Sequence, residues 1–254
     1  IGLGLFGLAD ALIKLGIRYG SEESIDFIHR MGRGMINNAV LASALLTKEF
    51  GVAPAYCPEV MESDFFKANI DEEVAEVVRE HGLANTQLLT IPPTGSTATL
   101  VGASTGAEPL FATSYTRRTV SINEGRETEY KVYSPIIEEL MEALQISDEK
   151  DLPDYVVTAH DLHYKDRIKV QAALQQYIDS AISSTINLPE EATVEDIEDA
   201  ILFAAENKIK GITFFRNNCF RQGILTTPSE ETKLPTEEVC PECGGKLKFE
   251  GGCK

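Results

Sequence analysis

Residues 86–103 read Thr86-Gln87-Leu88-Leu89-Thr90-Ile91-Pro92-Pro93-Thr94-Gly95-Ser96-Thr97-Ala98-Thr99-Leu100-Val101-Gly102-Ala103. The first six are short, apolar and β-branched, the pattern of a buried strand. Two prolines stop it, a glycine turns it, and Ala98 to Ala103 can start a helix. The chain therefore passes from strand to helix through three hydroxyl residues, Thr94, Ser96 and Thr97. A helix N-terminus offers unpaired N–H groups and partial positive charge. Gly95 lets the backbone approach a ligand, and the hydroxyls add donors. Pro93, Thr94, Gly95, Ser96 and Thr97 are thus a candidate uncharged anion seat, most naturally for phosphate. No lysine follows the glycine, so this is not a Walker A loop. A hydroxyl-capped helix with nothing bound fits the same residues.

Outward from this stretch, helices and strands alternate. Ser21 caps an expected helix whose first turn carries Glu22 and Glu23; it runs to Phe50 with Gly51 as its stop. Residues 52–69 read as an irregular loop holding an inert Cys57, and residues 71–81 as a shorter helix closed by Gly82. Downstream, residues 111–122 and 128–133 read as a hairpin turning at Asn123-Glu124-Gly125. Arg117, Arg118 and Arg126 lie on or near it and read as solvated. Ser134-Pro135 opens a helix, residues 148–154 form an acidic connector, and residues 166–182 carry a helical pattern. Residues 184–188 read as a strand, Thr193 to Asp196 as a capped helix start running to about Gly211, and residues 212–215 as another strand. This order argues for an α/β fold with a parallel sheet wrapped by helices. His160-Asp161-Leu162-His163 could bind a metal, but reads better as a polar lead-in to a helix.

A chain of 254 residues can bury a sizeable core as one large domain or two small ones. The net charge of −17 argues against a general nucleic-acid or membrane-surface partner. There is no apolar run of membrane-spanning length and no signal peptide. Three of the five cysteines, Cys240, Cys243 and Cys253, cluster at the C-terminus, which suits a reducing compartment and a cytoplasmic protein. Residues 226–239 are rich in Pro, Thr and Glu and read as a flexible linker. The Cys240-Pro241-Glu242-Cys243-Gly244 knuckle after it reads either as half of a zinc ribbon, with Cys253 opening a second knuckle, or as a redox thiol shuttle. Both chain ends look cut. Gly2, Gly4 and Gly7 fit a dinucleotide fingerprint, with Glu22 or Glu23 as the ribose acid. That alternative, an NAD(P)-dependent dehydrogenase, requires a strand before the glycines. Close packing of a glycine-bearing backbone explains them better.

Several segments together resemble the ribonucleotide reductase large subunit, its adenosylcobalamin-dependent branch most. They are Gly2-Leu3-Gly4-Leu5-Phe6-Gly7-Leu8-Ala9-Asp10, Pro93 to Thr97, Ser104-Thr105-Gly106-Ala107-Glu108-Pro109-Leu110-Phe111, Gln171-Ala172-Ala173-Leu174-Gln175 and Ser183-Ser184-Thr185-Ile186-Asn187-Leu188-Pro189. They occur in the family's order along nearly the whole chain. The resemblance implies that residues 1–225 are the C-terminal part of the family's α/β barrel, with a β-hairpin insertion and a cysteine-rich tail at residues 240–254. It implies reduction of ribonucleotides to deoxyribonucleotides by cobalamin-initiated thiyl radical chemistry, with Pro93 to Thr97 holding substrate phosphates. A thioredoxin-type reductant is implied as partner, and a homodimer is compatible with it. The family's radical cysteine motif is not found here. It is expected upstream of Ile1, so no catalytic residue is assigned and the fragment alone is expected to be inactive. Reductases that receive their radical from a second subunit carry two adjacent tyrosines where this chain has Phe214-Phe215, which favours a locally generated radical.

Overall fold

The computed structural model describes residues 2–120 and 127–217. Among them are eight α-helices, two 3-10 turns and four strands. Helix α1 is Leu8–Lys14 and α2 is Glu22–Phe50. The long α2 begins where the sequence places it: the Ser21 hydroxyl accepts from the Ser24 N–H, and Gly51 ends the helix with φ of 76°. Residues 52–69 depart from the expected loop. They hold a 3-10 turn, Pro58–Glu62, and helix α3, Asp64–Asn69, capped by Ser63 and buried through Phe66 and Asn69. Helix α4 is Glu72–His81, stopped at Gly82. Helix α5 is Gly95–Val101.

Strands β1, Ser114–Val120, and β2, Glu127–Tyr133, pair antiparallel with Ser114 opposite Tyr133. The turn at Asn123-Glu124-Gly125, together with Arg126, lies outside the described residues. Helix α6, Pro135–Leu144, starts at Ser134 as expected, though the Ser134 hydroxyl donates to the Ala112 carbonyl rather than capping its own helix. Helix α7 is Tyr164–Gln175, strand β3 is Thr185–Leu188, helix α8 is Val194–Glu206 and strand β4 is Thr213–Arg216. The capping box of Thr193 and Asp196 forms. Helix α8 ends at Glu206, short of the expected Gly211, because Lys208 turns left-handed at φ of 58°.

Four chain segments lie side by side, all parallel and in chain order. Leu3 bridges Leu89, Ile91 bridges Ile182, and β3 pairs with β4 from Thr185–Thr213 to Leu188–Arg216. Leu3 donates to Leu88 at 2.7 Å and accepts from Thr90 at 2.9 Å; Ser183 donates to Ile91 at 2.9 Å. Each return between neighbours passes through helices, as parallel strands demand. The fold is mixed α/β with an open parallel ladder.

The main core joins α1, α2, α4, α6 and α7, with Leu12, Ile28, Leu89 and Ile137 fully buried. A second cluster of Ile168, Ile186, Leu188, Ala200 and Ala204 packs α7, β3 and α8. Helix α7 belongs to both, so it is buried on polar positions too: Arg167, Gln171 and Gln175 are almost fully enclosed. No helix among the described residues is long and apolar enough to cross a membrane.

Candidate functional site

The glycine-rich opening of the chain lies on the ladder. A Cβ on Gly4 would stand 2.1 Å from the Thr90 carbonyl oxygen, and one on Gly2 would stand 2.5 Å from the Thr90 side chain. Gly4 lets two backbones approach closely and Gly2 makes room for the Thr90 side chain, which is the close-packing use of these glycines. Gly7, with φ of 80°, then opens α1.

From Ile91 the chain enters the candidate anion seat. Thr94, not Gly95, makes the turn: its φ and ψ are 51° and 16°, and Gly95 is the first residue of α5. A threonine in the left-handed region is strained and is held there by its surroundings. Its Oγ1 accepts from the Gly106 N–H at 2.8 Å, and its carbonyl accepts from the Ala98 N–H at 2.8 Å. That Oγ1 bond uses a lone pair and leaves the Thr94 hydroxyl proton to donate elsewhere. Thr94 gives α5 no side-chain cap. The peptide N–H groups of Gly95, Ser96 and Thr97 therefore open the helix without intrahelical partners. Ser96 and Thr97 are exposed, and a Cβ on Gly95 would meet nothing within 4 Å. The Thr99 hydroxyl is turned back onto the Gly95 carbonyl at 2.8 Å and is not free for a ligand. Three N–H groups without intrahelical partners, the exposed hydroxyls of Ser96 and Thr97 and the remaining proton of the anchored Thr94 hydroxyl thus gather at one loop with no cation among its residues. The arrangement can seat an anion by hydrogen bonds alone.

A strap of residues 104–108 runs beside this loop. The Ser104 N–H donates to Asp10 Oδ2 at 2.7 Å, and its carbonyl accepts from the Gly7 N–H at 2.8 Å. Gly106 has φ of 45°, and a Cβ there would stand 3.2 Å from the Pro92 carbonyl oxygen. The buried Tyr19 hydroxyl donates to the Ala107 carbonyl at 2.7 Å. Glu108 pairs with the buried Arg167, whose other nitrogen donates to Asn187 Oδ1 at 2.8 Å; Glu108 Oε1 also accepts from the Thr185 N–H at 2.8 Å. Burial pushes the Glu108 carboxyl above its usual range, against the pull of Arg167. Gln171 donates to the Gly211 carbonyl, and Gln175 donates to those of Ile178 and Ser180. Glu108 and Arg167 thereby tie the motif of residues 104–111 to that of residues 183–189, while Gln171 and Gln175 tie α7 to Gly211 and to the turn that follows the helix. Asp10, Glu108 and Arg167 escape a reading of spacing because their partners lie 94 and 59 positions away.

The remaining candidates separate from this region. His163 caps α7, its Nδ1 accepting from the Lys165 N–H at 3.2 Å, and the Asp161 carboxylate accepts from both the Thr158 N–H and hydroxyl. The polar lead-in is the structure found, and no group of three or more potential metal ligands occurs among the described residues. Cys57 is exposed beside Glu59, which holds its thiol above the usual range. The side chains of Arg117 and Arg118, and all of Cys219, Cys240, Cys243 and Cys253, lie outside the described residues.

The family model for the ribonucleotide reductase barrel domain matches residues 1–215. The vitamin B12-dependent ribonucleoside-diphosphate reductase of Thermoplasma acidophilum is 31% identical over 97% of this chain and 32% of its own length. The protein of that name from Mycobacterium tuberculosis is 29% identical over 100% of this chain and 35% of its own. The ribonucleoside-diphosphate reductase subunit alpha of Mycoplasma pneumoniae is 27% identical over 94% and 35%. The chain spans about a third of the length of the curated relatives it matches.

Proposed function

We propose, starting from the fact that this chain belongs to the ribonucleotide reductase barrel-domain family, that it supplies the substrate-phosphate end of an adenosylcobalamin-dependent ribonucleoside-diphosphate reductase. The observation that carries the site is the open start of α5. Gly95, Ser96 and Thr97 present unpaired N–H groups, and Thr94 is held in a strained turn with its proton free. In this reading Thr94, Ser96 and Thr97 donate to the diphosphate, Gly95 leaves room for it, and Pro93 follows the ladder segment that carries the loop. The seat binds and orients; it moves no proton and breaks no bond. Because it carries no cation, it relies on hydrogen bonds directed at the ligand.

Adenosylcobalamin, whose role is supported by the names of the Thermoplasma and Mycobacterium relatives, supplies the radical-starting chemistry when bound. Its contacts are assigned to none of the residues described here. On β4, Phe214 and Phe215 have no phenolic proton to lose, so this strand offers no tyrosyl relay, in keeping with a radical made locally. The thiyl cysteine and its acid and amide neighbours are proposed to lie upstream of Ile1. Residues 1–225 then form the barrel portion, residues 226–239 a linker, and Cys240, Cys243 and Cys253 a zinc or thiol-shuttle tail served by a thioredoxin-type reductant. The assembly is proposed to be a homodimer in the cytoplasm, free of nucleic acid and membrane.

The test is nucleotide affinity in the complete enzyme. Ser96→Ala removes one charge-assisted donor, so affinity is expected to fall roughly ten- to hundredfold. Unchanged affinity in both Ser96→Ala and Thr94→Val moves the phosphate site elsewhere.

A further inference from the structure

The anion seat is only as well placed as Thr94, and Thr94 is held by a neighbour rather than by its own helix. Its Oγ1 accepts from the Gly106 N–H at 2.8 Å. Gly106 belongs to the strap, so the position of the strap decides where the threonine hydroxyl points. The strap is fixed at one end by Tyr19, which donates to the Ala107 carbonyl, and by the pairing of Glu108 with Arg167 and the Thr185 N–H. At the other end, both polar groups of the Ser104 peptide are taken by the first turn of α1. The Gly7 N–H donates to the Ser104 carbonyl at 2.8 Å, and Asp10 Oδ2 accepts from the Ser104 N–H at 2.7 Å. Gly106 lies midway between the two anchors.

We infer that Asp10 is a positioning residue of the phosphate seat: by holding Ser104 against α1 it fixes the strap from which Gly106 sets the Thr94 hydroxyl. This deepens the proposed function and rests on the reading of residues 93–97 as the phosphate site. Three further observations support it. Asp10 Oδ1 and Ser104 Oγ are both buried, and the Ser104 side chain as well as its N–H acts on the carboxylate, more enclosure than a residue that serves only to charge a helix start would need. The one cation on the same helix, Lys14, is engaged by Glu139 at 2.7 Å, so the carboxylate has the Ser104 peptide as its hydrogen-bonded partner. Finally, a Cβ on Gly106 would crowd the Pro92 carbonyl at 3.2 Å, so the strap lies directly on the backbone that leads into the seat.

The experiment compares Asp10→Ala, Asp10→Asn and Ser96→Ala in the complete enzyme. Calorimetry measures binding of a ribonucleoside diphosphate and of the matching nucleoside, which lacks phosphate. Asp10→Ala is expected to weaken the diphosphate by about three- to tenfold through loss of one hydrogen bond's worth of positioning, and to leave the nucleoside unchanged. Asp10→Asn keeps an acceptor oxygen for the Ser104 N–H and is expected to restore most of the loss. If Asp10→Ala does not fold, Asp10→Ser, whose side chain is too short to span to Ser104, carries the same comparison. Equal weakening of nucleoside and diphosphate marks a merely structural residue and overturns the inference. So does wild-type affinity in Asp10→Ala while Ser96→Ala weakens the diphosphate, and so does an asparagine variant as weak as the alanine one. Wild-type affinity in Ser96→Ala and Asp10→Ala alike overturns the phosphate reading itself.

Discussion

Residues 104–108 and residues 93–97 lie side by side, joined by the bond from Gly106 to Thr94, and they are built in opposite ways. In the strap, Ser104, Ala107 and Glu108 each have a polar group taken by an element far away in the chain: α1, Tyr19, α7 or β3. In the loop, one hydroxyl is anchored and the rest is left exposed and unpaired. Both stretches are glycine- and hydroxyl-rich, so composition does not tell them apart. What separates them is whether polar groups are spent inside the protein or kept for something outside it. A region of the first kind stabilises, and a region of the second kind binds.

That contrast can be broken by substitutions on either side. The largest effect is expected from Arg167→Met. It leaves the largely buried Glu108 carboxyl without its cation and Asn187 Oδ1 without its donor, at a cost of about 3–5 kcal/mol. Scanning calorimetry of the complete enzyme should show the transition of this domain fall steeply; an unchanged transition would mean the interior network holds nothing. Next is Gly4→Ala, whose added methyl collides with the Thr90 carbonyl and forces the first two ladder segments apart, at about 1–3 kcal/mol. A similar cost, about 1–3 kcal/mol, attends Gln175→Ala, which strands the Ile178 carbonyl and leaves that of Ser180 only a long bond from Lys210; faster amide exchange around Ser180 is the sign to look for.

A subtler test uses pH. The folded-state pKa of Glu108 is raised, chiefly by burial. Its contribution to stability is therefore fully present below the unfolded value of 4.5 and is lost as pH rises through the folded value. The stability of the wild type relative to Glu108→Gln should decline across that window, and a difference that grows with pH contradicts it. On the open side, Gly95→Ala is expected to be almost neutral for the fold, within about 0.5 kcal/mol, because its Cβ meets nothing. It should nonetheless weaken diphosphate binding, since the methyl occupies the space left for the ligand. Stability and binding both untouched would mean that the space is not used.

Much of the fold was legible wherever the signal is local. Ser21 and Gly51 bound α2, Thr193 and Asp196 box the start of α8, and the helix–strand order gives the parallel pairing of β3 with β4. The segment between α2 and α4 was not legible. Helix α3 has six residues and takes its stability from burying Phe66 and Asn69, which no periodicity announces. The helical pattern of residues 166–182 gave no sign that Arg167, Gln171 and Gln175 are interior; they are accommodated there because carbonyls, an amide oxygen and a carboxylate elsewhere in the chain take their donors. The 93–97 loop was found as a strand-to-helix turn, but the residue that turns was not. Glycine was the expected choice by propensity, whereas Gly106 holds Thr94 in the strained conformation.

The strap also bears on how the chain reaches its native state. Its contacts join residues separated by 94, 88, 77 and 59 positions. Each such contact closes a long loop, whose entropic cost is met before the contact is made, and chains rich in such pairings fold slowly. The bond from Gly106 to Thr94 spans 12 positions, yet it depends on a strap that the distant contacts must first set in place. Thr94 should therefore take up its left-handed turn among the last events of folding. In pulse-labelling during refolding, the Gly106 amide should gain protection later than the amides within α2.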